Sequence, residues 1–261
     1  MKPQNQNGAV SEATAASGAI AVTGASRGIG AAIALELARK GFTVACLTRA
    51  GKGIEDQKVP KKLAGRLIAE ICDVTDDNSI ARALGSAAGR ADGLHGLVNN
   101  AGLHKTKKSE ALPSSELETV MRTNFFGAFV ACREAYPLLV ANGGGLIVNI
   151  GSFYERLGVM RSLAYTASKA AIGAMTRCLA VEWASQNIIV LNLAPGIIQT
   201  EMNREYMKKP SFQDFVAKRI PLGGPGSVQD VAHMVGVLFF ERPGFMTGET
   251  IFMDGGQGIA H

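Results

Sequence analysis

A tyrosine and a lysine four residues apart, Tyr165 and Lys169, are the residues whose types and spacing point most directly to chemistry. In a helix, this spacing places both side chains on one face, one turn apart. A phenol with a pKa of about 10 is a poor acid or base at neutral pH, but an adjacent ammonium favours its ionised form. Ser152 closes an apolar run before this pair, and its hydroxyl would hold a substrate oxygen beside the phenol. The pair alone fits an ordinary surface helix equally well, so the interpretation depends on the rest of the chain.

Short apolar runs alternate with stretches of helical period along the sequence. Strands are predicted over 19–23, 42–48, 66–72, 94–99, 145–151, 188–194 and 249–253, and helices over 28–40, 54–64 (a short one), 76–90, 114–141, 162–186 and 227–240. Such alternation implies a parallel sheet covered by helices on both faces. The predicted fold class is α/β, a single Rossmann-type doubly wound parallel sheet of about seven strands.

The predicted organisation is one domain, residues 18–261, preceded by a polar and disordered tail, residues 1–17. Residues 196–226 interrupt the alternation with three prolines, and the part from about 198 to 220 is predicted to be a substrate lid.

Two helix starts match the capping box, in which a serine and an acidic residue three positions later satisfy free backbone N–H groups. They are Ser115 with Glu118 and Ser227 with Asp230.

Composition excludes several classes of protein. The 261 residues are 47% hydrophobic, which suffices for one large domain. The net charge of +5 is dispersed and lacks interleaved aromatic residues, which argues against nucleic-acid binding. No apolar run reaches membrane-spanning length, and the first 17 residues resemble neither a signal peptide nor a transit peptide. We therefore predict a cytoplasmic protein with no membrane or nucleic-acid partner.

Four cysteines lie in apolar stretches, with no CxxC pair and no histidine at metal-ligand spacing. They are Cys46, Cys72, Cys132 and Cys178. We predict buried thiols of a reducing compartment and no metal site.

A glycine-rich turn follows the first predicted strand and opens the first predicted helix. Gly24, Gly28 and Gly30 allow a tight turn, close approach of backbone N–H groups to a diphosphate, and close helix–strand packing. The helix N-terminus would face the phosphates with its partial positive charge. The turn therefore predicts a dinucleotide site, although a glycine trio alone can also be a plain turn.

Cofactor preference should lie at the end of the second strand. An acidic residue there binds the ribose 2′-hydroxyl of NAD, whereas an arginine accommodates the 2′-phosphate of NADP. This chain has Arg49 at that place and Arg27 inside the glycine turn, with no carboxylate nearby in the sequence. We predict NADP, with NAD the less favoured cofactor.

Together these residues resemble the short-chain dehydrogenase/reductase family in its single-domain form, from about residue 18 to residue 258. The motifs that carry the resemblance are TGASRGIG at 23–30, CDVTD at 72–76, NNAG at 99–102, MRTNFFGAF around Asn124, the Ser152–Tyr165–Lys169 set, PGIIQT at 195–200 and TGETIFMDGG at 247–256. Within the family, the chain looks similar to 3-oxoacyl-carrier-protein reductases.

The resemblance implies a catalytic set of Asn124, Ser152, Tyr165 and Lys169. Tyr165 would be the general acid in carbonyl reduction and the base in the reverse direction, and Lys169 would lower its pKa and bind the nicotinamide ribose. Ser152 would stabilise the substrate oxygen, and Asn124 would hold a backbone kink and a water.

The resemblance also nominates cofactor residues. They are Gly24, Ser26, Arg27, Gly28, Ile29, Gly30, Arg49, Asp73, Val74, Asn100, Ala101, Gly102, Tyr165, Lys169, Pro195, Gly196, Ile198 and Thr200. Substrate-facing candidates are Ser152, Tyr154, Met202 and Tyr206. His104 and Lys105 lie just after the NNAG motif and could receive an anionic group, although solvated loop charges are the commoner alternative.

The function predicted is that of an NADP-dependent oxidoreductase that interconverts a ketone, aldehyde or 3-oxoacyl group and an alcohol. Two alternatives stay open at this point: an epimerase or dehydratase with tightly bound cofactor, and a dinucleotide-binding regulator without turnover. The helices at 114–141 and 162–186 carry more apolar surface than one sheet face needs, which predicts a homotetramer or a homodimer.

Overall fold

Seven strands form one parallel sheet in the computed structural model, which describes residues 18–260 apart from the side chains of Met202 and Tyr206. The predicted tail at 1–17 and those two predicted substrate side chains therefore lie outside the described residues. Including a separate pair, β7 and β8, the strands of the described residues are β1 Ala19–Thr23, β2 Thr43–Thr48, β3 Leu67–Ile71, β4 Leu94–Asn99, β5 Gly145–Ile150, β6 Ile188–Pro195, β7 Ile198–Gln199, β8 Gly226–Ser227 and β9 Thr250–Met253. Across the large sheet the order is β3-β2-β1-β4-β5-β6-β9, with every neighbouring pair parallel. This architecture confirms the predicted fold class.

Helices connect these strands. They are α1 Gly28–Arg39, α2 Asp77–Arg90, α3 Ser114–Met121, α4 Gly127–Ala141, α5 Leu163–Trp183, α6 Arg204–Met207, α7 Pro210–Arg219 and α8 Val228–Glu241. Short strands β7 and β8 pair in parallel, so they join the two ends of the predicted lid region.

The sheet is buried on both faces, which explains the continuous apolar runs of its strands. In β1, Ile20 and Val22 face the core shared with α1 and α8, and they are fully buried. Ala19 and Ala21 face the opposite core, shared with α2, α4 and α5, and are also fully buried. Because no position of such a strand meets water, every position must be apolar or small.

The predicted helix at 54–64 is wrong. This connection has only a 3-10 helix, Lys61–Arg66, with Pro60 as its N-cap residue. Proline has no N–H to donate and its ring clashes with a preceding helical turn, which disfavours a helix through residue 60. Gly51 and Gly53, both with positive φ, turn the chain before it.

One of the two predicted capping boxes is present. The Ser227 hydroxyl accepts a hydrogen bond from Asp230 N, and the Asp230 carboxylate accepts one from Ser227 N, so α8 begins as predicted. The box at Ser115 is wrong because the N-cap of α3 is Pro113, two residues earlier, and no side chain caps this helix. Ser115 therefore lies inside the first turn of the helix, where its hydroxyl is not in the N-cap position.

The long predicted helix at 114–141 is interrupted. A π-helical turn, Arg122–Phe126, separates α3 from α4. Such turns insert one extra residue per turn and often occur at functional sites. Asn124, a predicted catalytic residue, lies inside this turn.

Three of the four cysteines are core residues, as predicted. Burial raises the pKa of the thiols of Cys46, Cys72 and Cys132 to about 12, which keeps them protonated and inert. Cys178 is exposed, and its predicted burial is wrong. Helical position decides this, since Cys178 lies on the outward face of α5. Within residues 18–260, no helix combines the length and the apolar character that crossing a bilayer requires.

Candidate functional site

The site lies at the carboxyl edge of the sheet, where the strand order reverses between β1 and β4. Ligands of open α/β sheets bind at such a switch point. The Asn100 side chain joins the two strand ends, because its Nδ2 donates to Thr23 O at 3.0 Å and to Gly24 O at 3.2 Å. In return, the Thr23 hydroxyl accepts hydrogen bonds from the N–H groups of Asn100 and Ala101. The NNAG segment is thereby held against the glycine turn.

The glycine turn forms a cradle in which side chains have no room. Gly24 and Gly28 have φ of +65° and +58°, a region that non-glycine residues rarely adopt. A Cβ at Gly30 would lie 2.3 Å from Gly24 O and 2.4 Å from Asn100 Nδ2, so only glycine fits there. Helix α1 begins here with no side-chain cap and no acidic residue in its first turn. Its free N–H groups and partial positive charge suit an anionic phosphate.

A carboxylate lies inside this cradle. Asp56 Oδ2 accepts a hydrogen bond of 2.6 Å from Gly28 N. The sequence placed no acidic group close to the two predicted cofactor arginines, and the fold corrects that expectation. A second carboxylate, Asp73, lies near Arg49: hydrogen bonds from Thr75 lower the pKa of Asp73, and the charge of Arg49 lowers it further. Distance along the chain hid both contacts.

The predicted catalytic residues come together on one side of α5. Lys169 is 5% exposed, and its Nζ donates to Ile150 O at 2.7 Å and lies 5.7 Å from the centre of the Tyr165 ring. Burial raises the pKa of the Tyr165 phenol, and the Ser152 side chain lies close enough to the phenol to lower that pKa in part. A methyl group at Gly102 would lie 3.8 Å from Lys169 Nζ, so the NNAG segment closes over the lysine.

Asn124 ties this group of residues together. Its Oδ1 accepts from Leu103 N at 2.8 Å, and its Nδ2 donates to Leu103 O and to Ser168 Oγ, both at 3.0 Å. The Ser168 hydroxyl in turn donates to Tyr165 O at 2.7 Å. The π-helical turn thus anchors both the NNAG segment and the backbone that carries Tyr165. The water that the resemblance assigns to Asn124 stays a prediction.

The electrostatics of the pair differ from the sequence expectation. Burial raises the pKa of Tyr165, and the hydrogen bond from Ser152 opposes that rise. Burial also lowers the pKa of Lys169 to about 8, partly offset by the negative charge of Glu155. The expected lowering of the Tyr165 pKa by the ammonium is therefore not met in this structure, because a dry site disfavours the phenolate and the ammonium alike.

His104 packs directly on Tyr165, with ring centroids 4.4 Å apart and planes inclined by 35°. Its Nε2 lies 3.0 Å from the Ser162 hydroxyl, and burial lowers the pKa of the imidazole. Tyr154 meets both rings edge-on, at 6.0 Å from His104 and 5.8 Å from Tyr165. Two aromatic rings thus flank the phenol, whereas Lys105 is exposed beside them.

Glu155 is a residue of the site that the sequence did not reveal. Its carboxylate accepts from Asn192 Nδ2 at 2.8 Å, and a methyl group at Gly173 would lie 3.1 Å from its Oε1. Gly173 follows Lys169 by one helical turn, so phenol, ammonium and carboxylate succeed one another along α5. A glycine at that position of the helix was the available sequence signal, since it leaves space for another group.

The segment after β6 completes the crevice. Gly196 N donates to Met253 O at 2.8 Å, and a Cβ at Gly196 would lie 2.6 Å from Asp254 Cα. Beyond Ile198, which is buried, Thr200 lines a cavity of about 300 Å³ together with Gly28, Asp56 and Arg204. The structure thus brings Thr200 to the glycine turn. On the other side, the backbone of Val74 lies against α4, where a Cβ at Gly127 would be 2.5 Å from Val74 O.

A doubly wound parallel sheet with a glycine turn at its switch point defines the class of dinucleotide-binding α/β proteins. A sequence model of the family described as enoyl-(acyl carrier protein) reductase matches residues 24–257. Glucose 1-dehydrogenase of Gluconobacter oxydans is 34% identical over 241 residues, which are 91% of this chain and 90% of that protein. The 3-oxoacyl-(acyl-carrier-protein) reductase of Mus musculus is 34% identical over 237 residues, 90% of this chain and 96% of that protein.

Solved structures give the same result. A short-chain type dehydrogenase/reductase from Mycobacterium marinum superposes with a TM-score of 0.85 at 29% identity, over 94% of this chain and 98% of that chain. A gluconate 5-dehydrogenase from Burkholderia cenocepacia, in complex with NADP and tartrate, has a TM-score of 0.83 at 28% identity, over 93% and 96% of the two chains. The chain belongs to the short-chain dehydrogenase/reductase family and is an oxidoreductase of that family.

Proposed function

We propose that this protein is an NADP-dependent oxidoreductase that interconverts a carbonyl compound and an alcohol, with Tyr165 as the general acid and base. The observation that carries the proposal is the contact of the Tyr165 phenol with Ser152, which opposes the rise that burial causes in the pKa of the phenol, one helical turn from a buried lysine ammonium. A carbonyl oxygen that replaced this mutual contact would receive one hydrogen bond from each hydroxyl.

Each residue then has a separate task. In reduction, the Tyr165 hydroxyl gives its proton to the substrate oxygen, and in oxidation the phenolate accepts that proton back. Ser152 donates to the same oxygen while negative charge develops on it, which stabilises the transition state. Lys169 supplies positive charge beside the phenolate, and Asn124 keeps the backbone of Tyr165 in place through Ser168.

The chain's own residues fit a dinucleotide. The cradle of Gly24, Gly28 and Gly30 leaves room for a phosphate, and the N-terminus of α1 already holds an anion, the Asp56 carboxylate. A bound nicotinamide cofactor would supply the hydride. The nominated residues on the other strands, from Asn100 to Gly102 and from Pro195 to Thr200, lie around the same crevice.

NADP preference would arise from Arg27 and Arg49, which are both exposed at the adenosine end of the crevice. We predict that NADPH binds at least about tenfold tighter than NADH, because a guanidinium pairs with the 2′-phosphate. Arg49→Asp should narrow or reverse this difference, and Lys62→Asp is a matched control because Lys62 is exposed on the neighbouring 3-10 helix. Fluorescence titration measures the six dissociation constants, those of NADPH and NADH for the wild type and for each of the two variants. Equal constants for both cofactors in the wild type would refute the preference.

Substrate class is tested by a panel of ketones, aldehydes, sugars and 3-oxoacyl thioesters, with loss of NADPH absorbance as the readout. The relatives include proteins named for glucose and for 3-oxoacyl carriers, so both classes belong in the panel. The rings of His104 and Tyr154 beside Tyr165 favour substrates with an apolar part next to the reacting oxygen. A panel without any oxidation or reduction at saturating cofactor would refute an oxidoreductase role for this site.

Oligomerisation is a further part of the proposal. Large apolar side chains are exposed on the π turn, α4 and α5: Phe126, Phe129, Leu163 and Val181. Exposed apolar patches of this kind mark association surfaces. We therefore propose a homodimer or homotetramer, which light scattering coupled to size-exclusion chromatography would measure.

A further inference from the structure

Loop 51–60, from Gly51 to Pro60, lies on the glycine turn and is held there by three hydrogen bonds. The N–H groups of Glu55 and Asp56 donate to Ser26 O at 2.8 and 3.4 Å. In the opposite direction, Gly28 N donates to the Asp56 carboxylate at 2.6 Å. The loop therefore contacts the segment that the proposed function assigns to the cofactor diphosphate.

The Asp56 contact is the kind that a phosphate would make. Helix α1 has no acidic residue in its first turn and no side-chain cap on its Arg27 N-cap. It therefore presents free N–H groups and an unneutralised dipole, which favour an anion. Asp56 provides that anion from 28 residues away, and the same side chain lines the cavity of about 300 Å³ between Gly28 and Thr200.

Two anions do not share one helix N-terminus without cost, because like charges repel at short range. Gly51 and Gly53 stand at the start of the loop with φ of +66° and +70°, and Asp56 is exposed. The acidic tip of the loop thus has no buried side chain, whereas Ile54 and Val59 on either side of it pack against the core. Exchange of one anion for another at the cradle requires only the exposed tip around Asp56 to move.

We propose that Asp56 is an internal competitor of the dinucleotide, which binds when its diphosphate displaces the Asp56 carboxylate from Gly28 N. The inference rests on the proposed cofactor site. Asp56 would then set the affinity for the dinucleotide without making contact with the bound cofactor. Because the diphosphate is common to both cofactors, Asp56 should weaken the binding of NADPH and the binding of NADH by the same factor. The apparent dissociation constant equals the intrinsic one divided by the fraction of molecules whose cradle is free.

The first test is calorimetric titration of NADPH and NADH into the wild type and into Asp56→Asn. Asparagine keeps an oxygen for the Gly28 N–H but loses the charge, so the loop can still fold onto the turn. We expect both dissociation constants to fall by at least about threefold, the effect of one well-placed charge at a helix N-terminus. Glu55→Gln is the matched control, because Glu55 is the neighbouring exposed carboxylate and its N–H donates to the same Ser26 O. It should change neither constant by more than about twofold.

The second test uses the wild type alone and needs no variant to fold. Lys52 and Lys58 are exposed in loop 51–60, and trypsin cleaves after lysine. If the dinucleotide releases the loop, saturating NADPH should accelerate cleavage at these two lysines while the rest of the chain is protected.

Several results would overturn the inference. Weaker binding of both cofactors by Asp56→Asn would mean that Asp56 is a ligand of the cofactor. Tighter binding of NADPH alone would mean that Asp56 acts on the 2′-phosphate. Protection of Lys52 and Lys58 by NADPH would mean that the loop closes over the cofactor. If the wild type binds and Asp56→Asn binds equally well, only this inference fails. If the wild type binds neither dinucleotide, the proposed cofactor site fails with it.

Discussion

Tyr165→Phe should lower the turnover number at least a hundredfold, while the dissociation constant of NADPH changes by less than about threefold. Acid–base contributions to rate are on the order of 10²–10⁴, and phenylalanine removes only the hydroxyl that carries the proton. The ring contacts with His104 and Tyr154 would persist, so the pocket should keep its shape. Steady-state kinetics with the best substrate of the panel and a binding titration measure the two quantities.

Tyr136→Phe is the matched control for this variant. Tyr136 packs against Trp183, with ring centroids 4.9 Å apart, between α4 and the end of α5 and away from the switch point. It should keep wild-type turnover. Turnover of Tyr165→Phe within tenfold of the wild type would remove Tyr165 from its proposed role. A loss of turnover matched by an equal loss of NADPH affinity would show that the hydroxyl serves binding.

Lys169→Met should nearly abolish turnover and weaken NADPH binding, yet stabilise the fold at neutral pH. Methionine matches the length of the lysine stem but carries no charge beside the phenol. Burial lowers the pKa of Lys169 from 10.5 to about 8, so the charged side chain costs the fold about 3 kcal/mol. The variant also loses the hydrogen bond to Ile150 O, which lowers its free energy of unfolding by about 1 kcal/mol. We expect a net gain in unfolding free energy of about 1 to 2 kcal/mol at pH 7.

The sign of the pH dependence provides a second readout. Between pH 8 and 10.5 the unfolded lysine holds a proton that the folded one has released, so the stability of the wild type rises with pH across this window. The penalty is fully present below pH 8. The advantage of Lys169→Met should therefore disappear as pH rises from 8 to 10.5. Urea unfolding at a series of pH values measures this, with Lys62→Met as an exposed-lysine control.

The opposite result would be clear in the same data. If Lys169→Met is less stable than the wild type at pH 7 and the difference is unchanged at pH 10, burial of the charged lysine does not destabilise the fold. A variant with normal turnover would separate Lys169 from the chemistry altogether.

Strand positions were predictable because both faces of the sheet are buried. In β1 and β5 every residue is buried, and such strands must appear as short, continuous apolar runs. Helix ends were less predictable, since they depend on competing local signals. Ser227 and Asp230 cap α8 as predicted, whereas Pro113 displaced the start of α3 from the predicted box. Pro60 likewise left a 3-10 helix where a short α-helix was predicted.

The position of the candidate site was also predictable, because its motifs follow strands whose carboxyl ends meet at one edge of the sheet. The glycine turn, the NNAG segment and the Ser152–Tyr165–Lys169 set all lie there. Which of them touch could not be read from the chain. Asn124 contacts Ser168 across 44 residues, and Glu155 contacts Asn192 across 37.

The sequence by itself determined the family, the parallel sheet and the residues available for chemistry, because these follow from periodicity and short motifs. The tertiary structure decided that an aspartate occupies the N-terminus of α1, that an imidazole packs on the proposed acid, and that burial acts on both Tyr165 and Lys169. These are contacts and desolvation effects between segments far apart in the chain. They depend on how the chain is packed in space, and no local pattern of residues encodes them.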